Sequence, residues 1–149
     1  LAKDEAAFAV IPLLVTFIPM LTDTGGNAGS QSSTMIIRGM AVGEIEAGDI
    51  LRVLWKELRV GVIVGVLLGL VNYIQLVIRF PGQEMLCLTV VLSLLATVML
   101  AKTIGCVLPI AAQVLHLDPA IMAAPLITTI VDAVSLIIYF QLACSLLKI

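Results

Sequence analysis

The fold of this chain is decided by residues 60–78, VGVIVGVLLGLVNYIQLVI, a segment that contains no charged residue. A transmembrane helix needs about 20 predominantly apolar residues to cross the hydrocarbon core of a bilayer. The segment therefore predicts a membrane-spanning helix. Gly61, Gly65 and Gly69 recur at every fourth position of this segment. Small residues at that interval leave a groove along one helix face, which predicts close packing against a neighbouring helix.

Three further segments are long and apolar enough to cross a membrane, namely residues 6–37, 85–108 and 120–147. The whole chain is 61% hydrophobic and 12% charged, whereas soluble domains average about 45–50% and about 25%. A soluble globular protein is therefore excluded. The net charge of −2 provides no basic surface for nucleic acid. The expected fold is all-α, a polytopic membrane bundle with four transmembrane helices.

The distribution of basic residues predicts the orientation of the bundle. Residues 38–59, between the first two spans, hold four of the eight Lys and Arg residues. Their mixed charges fit a water-exposed loop or surface helix. Because cytoplasmic loops carry an excess of Lys and Arg, this segment is expected to be cytoplasmic, with both chain ends outside. Lys102, the one charge in the third span, is expected to snorkel to the cytoplasmic interface. The expected location is the plasma (inner) membrane, crossed several times.

The fourth span contains an acid far from either end, Asp132. A charge at the centre of a span costs about 2.5–3.5 kcal/mol on insertion scales, so such residues mark ion paths, relays or buried ion pairs. Thr128 and Ala124 lie four and eight residues before Asp132 and therefore share its helix face. One face of the fourth span is thus small or polar.

The first span has a matching stripe within its polar segment, residues 22–34, which contains no Lys or Arg. Gly26, Ser30 and Thr34 follow each other at intervals of four, and Asp23 lies one turn further out. If the first and fourth spans are antiparallel, their stripes line a common hydrophilic path. Three pairs of residues are then expected to lie at the same height along the path, namely Gly26 with Asp132, Ser30 with Thr128, and Thr34 with Ala124.

These side chains predict the kind of ion that the path would take. Carboxylates, hydroxyls and bare carbonyl groups are hard oxygen ligands, which suit Mg²⁺ or Ca²⁺ better than zinc or copper. Mg²⁺ gives up its waters reluctantly, so a path can hold the hydrated ion through water. One Asp132 per chain compensates little of a divalent charge. A two-fold dimer with the path on its axis would bring two such acids together.

Other interpretations of the same residues remain open. Asp132 could pair with Lys102 inside the bundle, Asp23 could cap a helix end, and residues 25–34 could be a packing surface in a purely structural anchor. Asp23-Thr24-Gly25 also matches the triplet of aspartic proteases, and intramembrane aspartyl proteases use two helical acids, here Asp23 and Asp132. The Gly-x-Gly-Asp pattern of that family is absent. The preferred interpretation is not an enzyme.

Several segments resemble the transmembrane domain of the MgtE family of magnesium channels: residues 23–34, 37–41, 55–58, 117–120 and 124–132. The resemblance covers essentially the whole chain. In that family the membrane domain has five helices per subunit and works as a homodimer, preceded by a cytosolic N-terminal domain and a CBS pair. The resemblance therefore implies that residues 1–149 are a transmembrane ion-conducting domain, with the first helix and the cytosolic regulatory domains upstream of Leu1.

The resemblance also implies roles for the residues of the two stripes. Asp132 would hold the hydrated Mg²⁺ in the pore, and the remaining positions would line it: Gly26, Ser30, Thr34, Ala124 and Thr128. Asp23 adds an acid near the outer mouth. Two charges moving through about −100 mV release roughly 4.6 kcal/mol, so flow down the electrochemical gradient needs no ATP. The alternative is an alternating-access transporter with broader divalent selectivity.

Overall fold

The computed structural model describes residues 11–122 and 124–147. Within them the chain forms four long helices, α1 (Ile18–Ala41), α2 (Ile50–Arg79), α3 (Glu84–Val114) and α4 (Ala124–Leu147). Short 3₁₀ turns, Ala47–Asp49 and Pro119–Met122, precede α2 and α4. Residues 11–16 are also helical and lead into α1. The predicted start of the first span near Ala6 lies outside the described residues.

Three of these helices are long and apolar enough to cross a membrane: the segments Ala47–Arg79, Glu84–Val114 and Ala124–Leu147. The remaining helix, α1, has 24 residues, and at 1.5 Å per residue it is about 36 Å long. Its polar middle makes it the least apolar of the four. The described residues contain no strand. The predicted fold class, an all-α membrane bundle, is confirmed.

The central helix of the bundle is α3, which packs against each of the other three. The glycines of α2 form the contact that their spacing predicts. A Cβ on Gly65 would lie 2.5 Å from Leu95 Cδ1, and Gly61 and Gly69 face Met99 and Val91 in the same way. The groove of α2 is therefore filled by α3 side chains. The opposite face of α2 stays exposed and apolar, as expected for a lipid-facing surface.

The backbones of α1 and α3 approach each other closely where two glycines meet. A Cβ on Gly105 would overlap the carbonyl oxygen of Gly29. On the same side of α1, Gly25 is buried against Thr97 of α3 and Val131 of α4. One face of the glycine-rich segment is thus a packing surface, in line with one of the interpretations left open, while its other face remains free.

The third and fourth spans have different boundaries from those predicted. The prediction ended the third span at Leu108, before Pro109, but α3 continues through the buried Pro109 to Val114. Neighbouring helices allow proline inside membrane helices because they compensate the freed backbone groups. The fourth span was expected from Ala120, yet α4 begins at Ala124. The intervening turn is capped by Asp118 Oδ1, which accepts the Ala120 N–H at 2.9 Å.

Two predictions about charged residues are wrong. Lys102 does not snorkel to the interface, and Glu57 does not lie in a water-exposed loop: both side chains are buried. The Lys102 ammonium donates to Glu57 Oε2 at 3.2 Å and to Ser32 Oγ at 3.1 Å. The Ser32 hydroxyl donates to Glu57 Oε2 at 2.5 Å. Opposite charges on adjacent helices satisfy one another, so neither has to reach water.

Candidate ion site

The two helices that carry the predicted site residues, α1 and α4, pack against each other in opposite directions. A Cβ on Gly25 would meet Val131 and Ser135 of α4. One turn further along α1, a Cβ on Gly29 would meet Ile127 and Val131. Rising residue numbers in α1 therefore correspond to falling numbers in α4, which is the antiparallel arrangement expected from the sequence.

Gly26 lies opposite the acid of the fourth helix. A Cβ on Gly26 would lie 3.1 Å from Thr128 Cγ2 and 3.8 Å from Asp132 Oδ1. Gly26 therefore lies opposite Asp132, as expected from the sequence, and Thr128 is closer to it still. Since glycine has no side chain, α1 and α4 can approach closely at this level, and Gly26 is buried where they meet.

An open cleft of about 370 Å³ occupies this position. It brings together four of the seven predicted site residues, which contribute two carboxylates, a hydroxyl group and bare backbone: Asp23, Gly26, Thr128 and Asp132. Three further residues complete the lining, namely Pro19, Thr22 and Asn27. The cleft thus combines hard oxygen donors from both helices in a space wider than a bare ion needs.

The two acids of the cleft have no cationic partner among the described residues. Asp132 is partly buried and Asp23 is exposed. The single ion pair within residues 11–122 and 124–147 joins Lys102 to Glu57. The proposed structural pairing of Lys102 with Asp132 is therefore wrong, because Lys102 is engaged on the opposite side of α1. Within the part of the chain that the structure describes, both carboxylates of the cleft are therefore without an ion-pair partner.

Hydroxyl groups near the cleft retain free acceptor positions. Thr128 Oγ1 donates its proton to the Pro125 carbonyl at 3.0 Å, so its lone pairs remain available. Ser30 Oγ, one turn further along α1 from Gly26, is buried and has no hydrogen-bond partner among the described atoms. An unpaired buried hydroxyl costs free energy, and Ser30 is not among the residues that line the cleft.

Thr34 and Ala124 do not reach the cleft. Both are exposed and lie towards the other end of the helix pair. At that end, the Ser33 hydroxyl of α1 donates to the Met122 carbonyl of the turn before α4 at 2.6 Å. The structure therefore does not bring these two predicted site residues to the cleft.

Two polar residues of the cleft, Thr22 and Asn27, are absent from the sequence-based site. Each is next in sequence to a predicted site residue, Asp23 or Gly26. A helix turns by 100° per residue, so a face wide enough to line a cleft includes the neighbours at intervals of three as well as four. Thr22 lies four residues before Gly26 and Asn27 lies four residues after Asp23, so the same helical spacing could have indicated both.

The described residues contain no group of three or more His, Cys, Asp or Glu side chains that could enclose a metal ion. The donors that the cleft does offer are the Asp23 and Asp132 carboxylates, the Asn27 amide and hydroxyl groups. These are oxygen ligands of the kind that Mg²⁺ and Ca²⁺ prefer. A single chain can thus attract a hard cation and orient its water shell.

A family model with the description "Divalent cation transporter", named MgtE, matches residues 18–142. The match covers all four helices up to the last turn of α4. The family and its matched members are transporters, which agrees with the prediction that the chain is not an enzyme. It gives no support to the protease interpretation of Asp23 and Asp132.

Individual relatives agree with the family match. The chain is 34% identical over 144 residues to the magnesium transporter MgtE of Thermus thermophilus, covering 97% of this chain and 32% of that protein. It is 34% identical over 139 residues to the protein of the same name from Bacillus subtilis, covering 93% and 31%. The Enterococcus faecalis relative is 28% identical over 149 residues, covering 99% and 32%. The chain spans about a third of the length of these relatives.

Proposed function

The chain belongs to the MgtE family of divalent cation transporters, and from this premise we propose that it moves Mg²⁺ across the membrane through the cleft between α1 and α4. The observation that carries the proposal is the meeting of Asp132 with Asp23 beside Gly26 and Thr128, in an oxygen-lined space to which the described residues contribute no Lys or Arg. The relatives named above are magnesium transporters, which favours Mg²⁺ among the hard divalent ions.

The cleft is suited to an ion that keeps its water. Six waters at about 30 Å³ each occupy roughly 180 Å³, and the cleft measures about 370 Å³. The volume is therefore large enough for a hydrated Mg²⁺, with Asp132 supplying charge and the hydroxyl and amide oxygens accepting hydrogen bonds from its waters. Direct replacement of the water shell is not required, which matters because Mg²⁺ dehydrates reluctantly.

The complete path requires a second copy of the chain. The cleft is open, and Asp23 on its rim is exposed in the single chain. A carboxylate facing lipid is costly, so acids within membrane proteins face the bundle interior or a water-filled cavity. A two-fold homodimer with the α1–α4 grooves facing its axis would enclose the path and bring two Asp132 side chains to the same ion.

The membrane potential can drive this transport. Two charges moving through about −100 mV release roughly 4.6 kcal/mol, so a channel needs no coupling ion. The proposed orientation has residues 38–59, which are the end of α1, the connecting loop and the start of α2, on the cytoplasmic side and the C-terminus outside, in the plasma (inner) membrane. In the whole protein, this ion-conducting domain would follow a first membrane helix and cytosolic regulatory domains. A carrier with alternating access and broader divalent selectivity is the second mechanism to test.

The proposal is tested by measuring Mg²⁺ influx into proteoliposomes that contain the full-length protein. Asp132→Asn preserves the shape of the side chain and removes its charge, so we expect flux to fall at least tenfold while the dimer mass is unchanged. The matched control is Glu84→Gln, which removes an exposed acid at the start of α3, outside the cleft. Unchanged flux in Asp132→Asn would refute the site. Single-channel currents would distinguish a channel from a carrier.

A further inference from the structure

A second cavity, larger than the ion cleft, lies where α1 passes into α2. It measures about 720 Å³ and is formed by the end of α1, the connecting loop and the first turns of α2. Four of the eight basic residues of the chain line it: Arg38, Arg52, Lys56 and Arg59. The cavity is thus a concentration of positive charge at one end of the bundle, remote from the acids of the cleft.

Three carboxylates also line this cavity, and two of them are already engaged. Glu57 is paired with Lys102, which approaches it from α3 behind the cavity. Asp49 Oδ2 accepts the backbone N–H of Glu46 at 3.0 Å. Glu44 is the third. The four cations have no ion-pair partner within residues 11–122 and 124–147. They outnumber the two carboxylates that no cation neutralises there, Glu44 and Asp49, so the cavity favours an anion.

The cavity is continuous with an apolar surface that runs along α2. Lys56, Val60, Ile63 and Leu67 follow one another at intervals of four, three and four and therefore share a helix face. The three apolar side chains are 37%, 60% and 59% exposed. Trp55, at the level of the cavity, is 64% exposed, and tryptophan is enriched at the headgroup level of membranes. A positive cavity thus leads directly onto a lipid-facing helix surface.

We propose that this cavity binds the phosphate headgroup of an anionic phospholipid, with the acyl chains lying along the exposed face of α2. Arginine presents a planar fork of N–H donors that matches phosphate oxygens. Basic pockets beside transmembrane helices recognise anionic headgroups through the same chemistry. A free phosphate would use the cations alone, whereas a lipid also uses the apolar face beyond Lys56. This site is independent of the proposed ion path.

The test uses the full-length protein in nanodiscs that contain equal amounts of phosphatidylglycerol and phosphatidylcholine. Native mass spectrometry then counts the lipids that stay bound after release into detergent. Each Lys or Arg near an anionic surface contributes to the free energy of lipid binding. Loss of two of them in Arg52→Ala/Lys56→Ala should weaken phosphatidylglycerol retention roughly thirtyfold. The matched control is Arg79→Ala, which removes an exposed basic residue at the other end of α2. The charge-conserving pair Arg52→Lys/Lys56→Arg should retain the lipid.

Selective phosphatidylglycerol retention by the wild type and both controls, with loss only in the double alanine variant, supports the headgroup site. Equal retention in the double alanine variant overturns it. Displacement of the lipid by millimolar inorganic phosphate would show that the cavity takes a soluble anion and would also overturn the proposal. The same holds if the wild type retains no more phosphatidylglycerol than phosphatidylcholine, or if cross-links show another part of the protein in the cavity instead of lipid.

Discussion

The Lys102 ammonium lies 3.2 Å from Glu57 Oε2, and the two side chains are only 3% and 4% exposed. This ion pair connects α3 to α2, and the Ser32 hydroxyl, bound to both charges, adds α1 to the cluster. The cluster therefore holds together three of the four helices. It lies on the side of α1 away from the cleft, so it supports the helix that carries half of the ion site.

Removal of one charge from this cluster should destabilise the protein strongly. In Lys102→Met the Glu57 carboxylate stays buried without its partner, which costs about 3–5 kcal/mol. A melting curve of the detergent-solubilised protein measures the loss. The double variant Lys102→Met/Glu57→Gln should recover most of it, because no buried charge remains and glutamine can still accept the Ser32 hydrogen bond. Arg79→Met, at an exposed position, should melt like the wild type. Equal melting of Lys102→Met and the wild type would contradict the buried pair.

The crossing of α1 and α3 should not tolerate a methyl group. In Gly105→Ala the new Cβ would overlap the Gly29 carbonyl oxygen, which is backbone and cannot rotate away. The helices must separate, and overpacking of this kind costs about 1–3 kcal/mol. We expect a lower melting temperature. The control is Gly48→Ala, where a Cβ meets nothing within 4 Å. A Gly105→Ala protein as stable as this control would show that the crossing is looser than the structure indicates.

Gly26→Ala should narrow the ion cleft without unfolding the bundle. Its Cβ would lie 3.1 Å from Thr128 Cγ2, a contact that a small side-chain movement relieves. We expect Mg²⁺ flux into proteoliposomes to fall severalfold while the melting temperature stays close to that of the wild type. Thr128→Ser removes that methyl group, so the double variant Gly26→Ala/Thr128→Ser should regain part of the flux. Full flux in Gly26→Ala alone would place the path elsewhere.

Asp23 should contribute to capture of the cation more than to its passage. It is exposed at the rim of the cleft, where a unit charge pair in water is worth about 1 kcal/mol. Asp23→Asn is therefore expected to raise the half-saturating Mg²⁺ concentration roughly fivefold and to leave the maximal rate unchanged. The difference should shrink at high ionic strength because salt screens exposed charges. An unaltered half-saturating concentration at low salt would rule out this role.

Much of the candidate site could be predicted because its residues follow helical spacing. Asp132 with Thr128, and Gly26 with Asp23, lie on common faces whatever the helices pack against. Ser30, Thr34 and Ala124 share these faces too, but spacing alone could not tell which part of each stripe borders a cleft. Thr22 and Asn27 escaped prediction because the width of a lining surface depends on how far the neighbouring helix stands away.

The sequence alone determined the membrane environment, the four helices and the polar stripes of α1 and α4, because hydropathy and helical spacing are local properties. The tertiary structure decided which charges are buried together. Ser32, Glu57 and Lys102 are separated by 25 and 45 residues, and only the rotation of each helix about its axis turns them towards one another. Rotation depends on packing, such as the Gly29–Gly105 contact, which no single segment specifies. A lysine that looked like an interfacial anchor is for that reason a buried partner of Glu57.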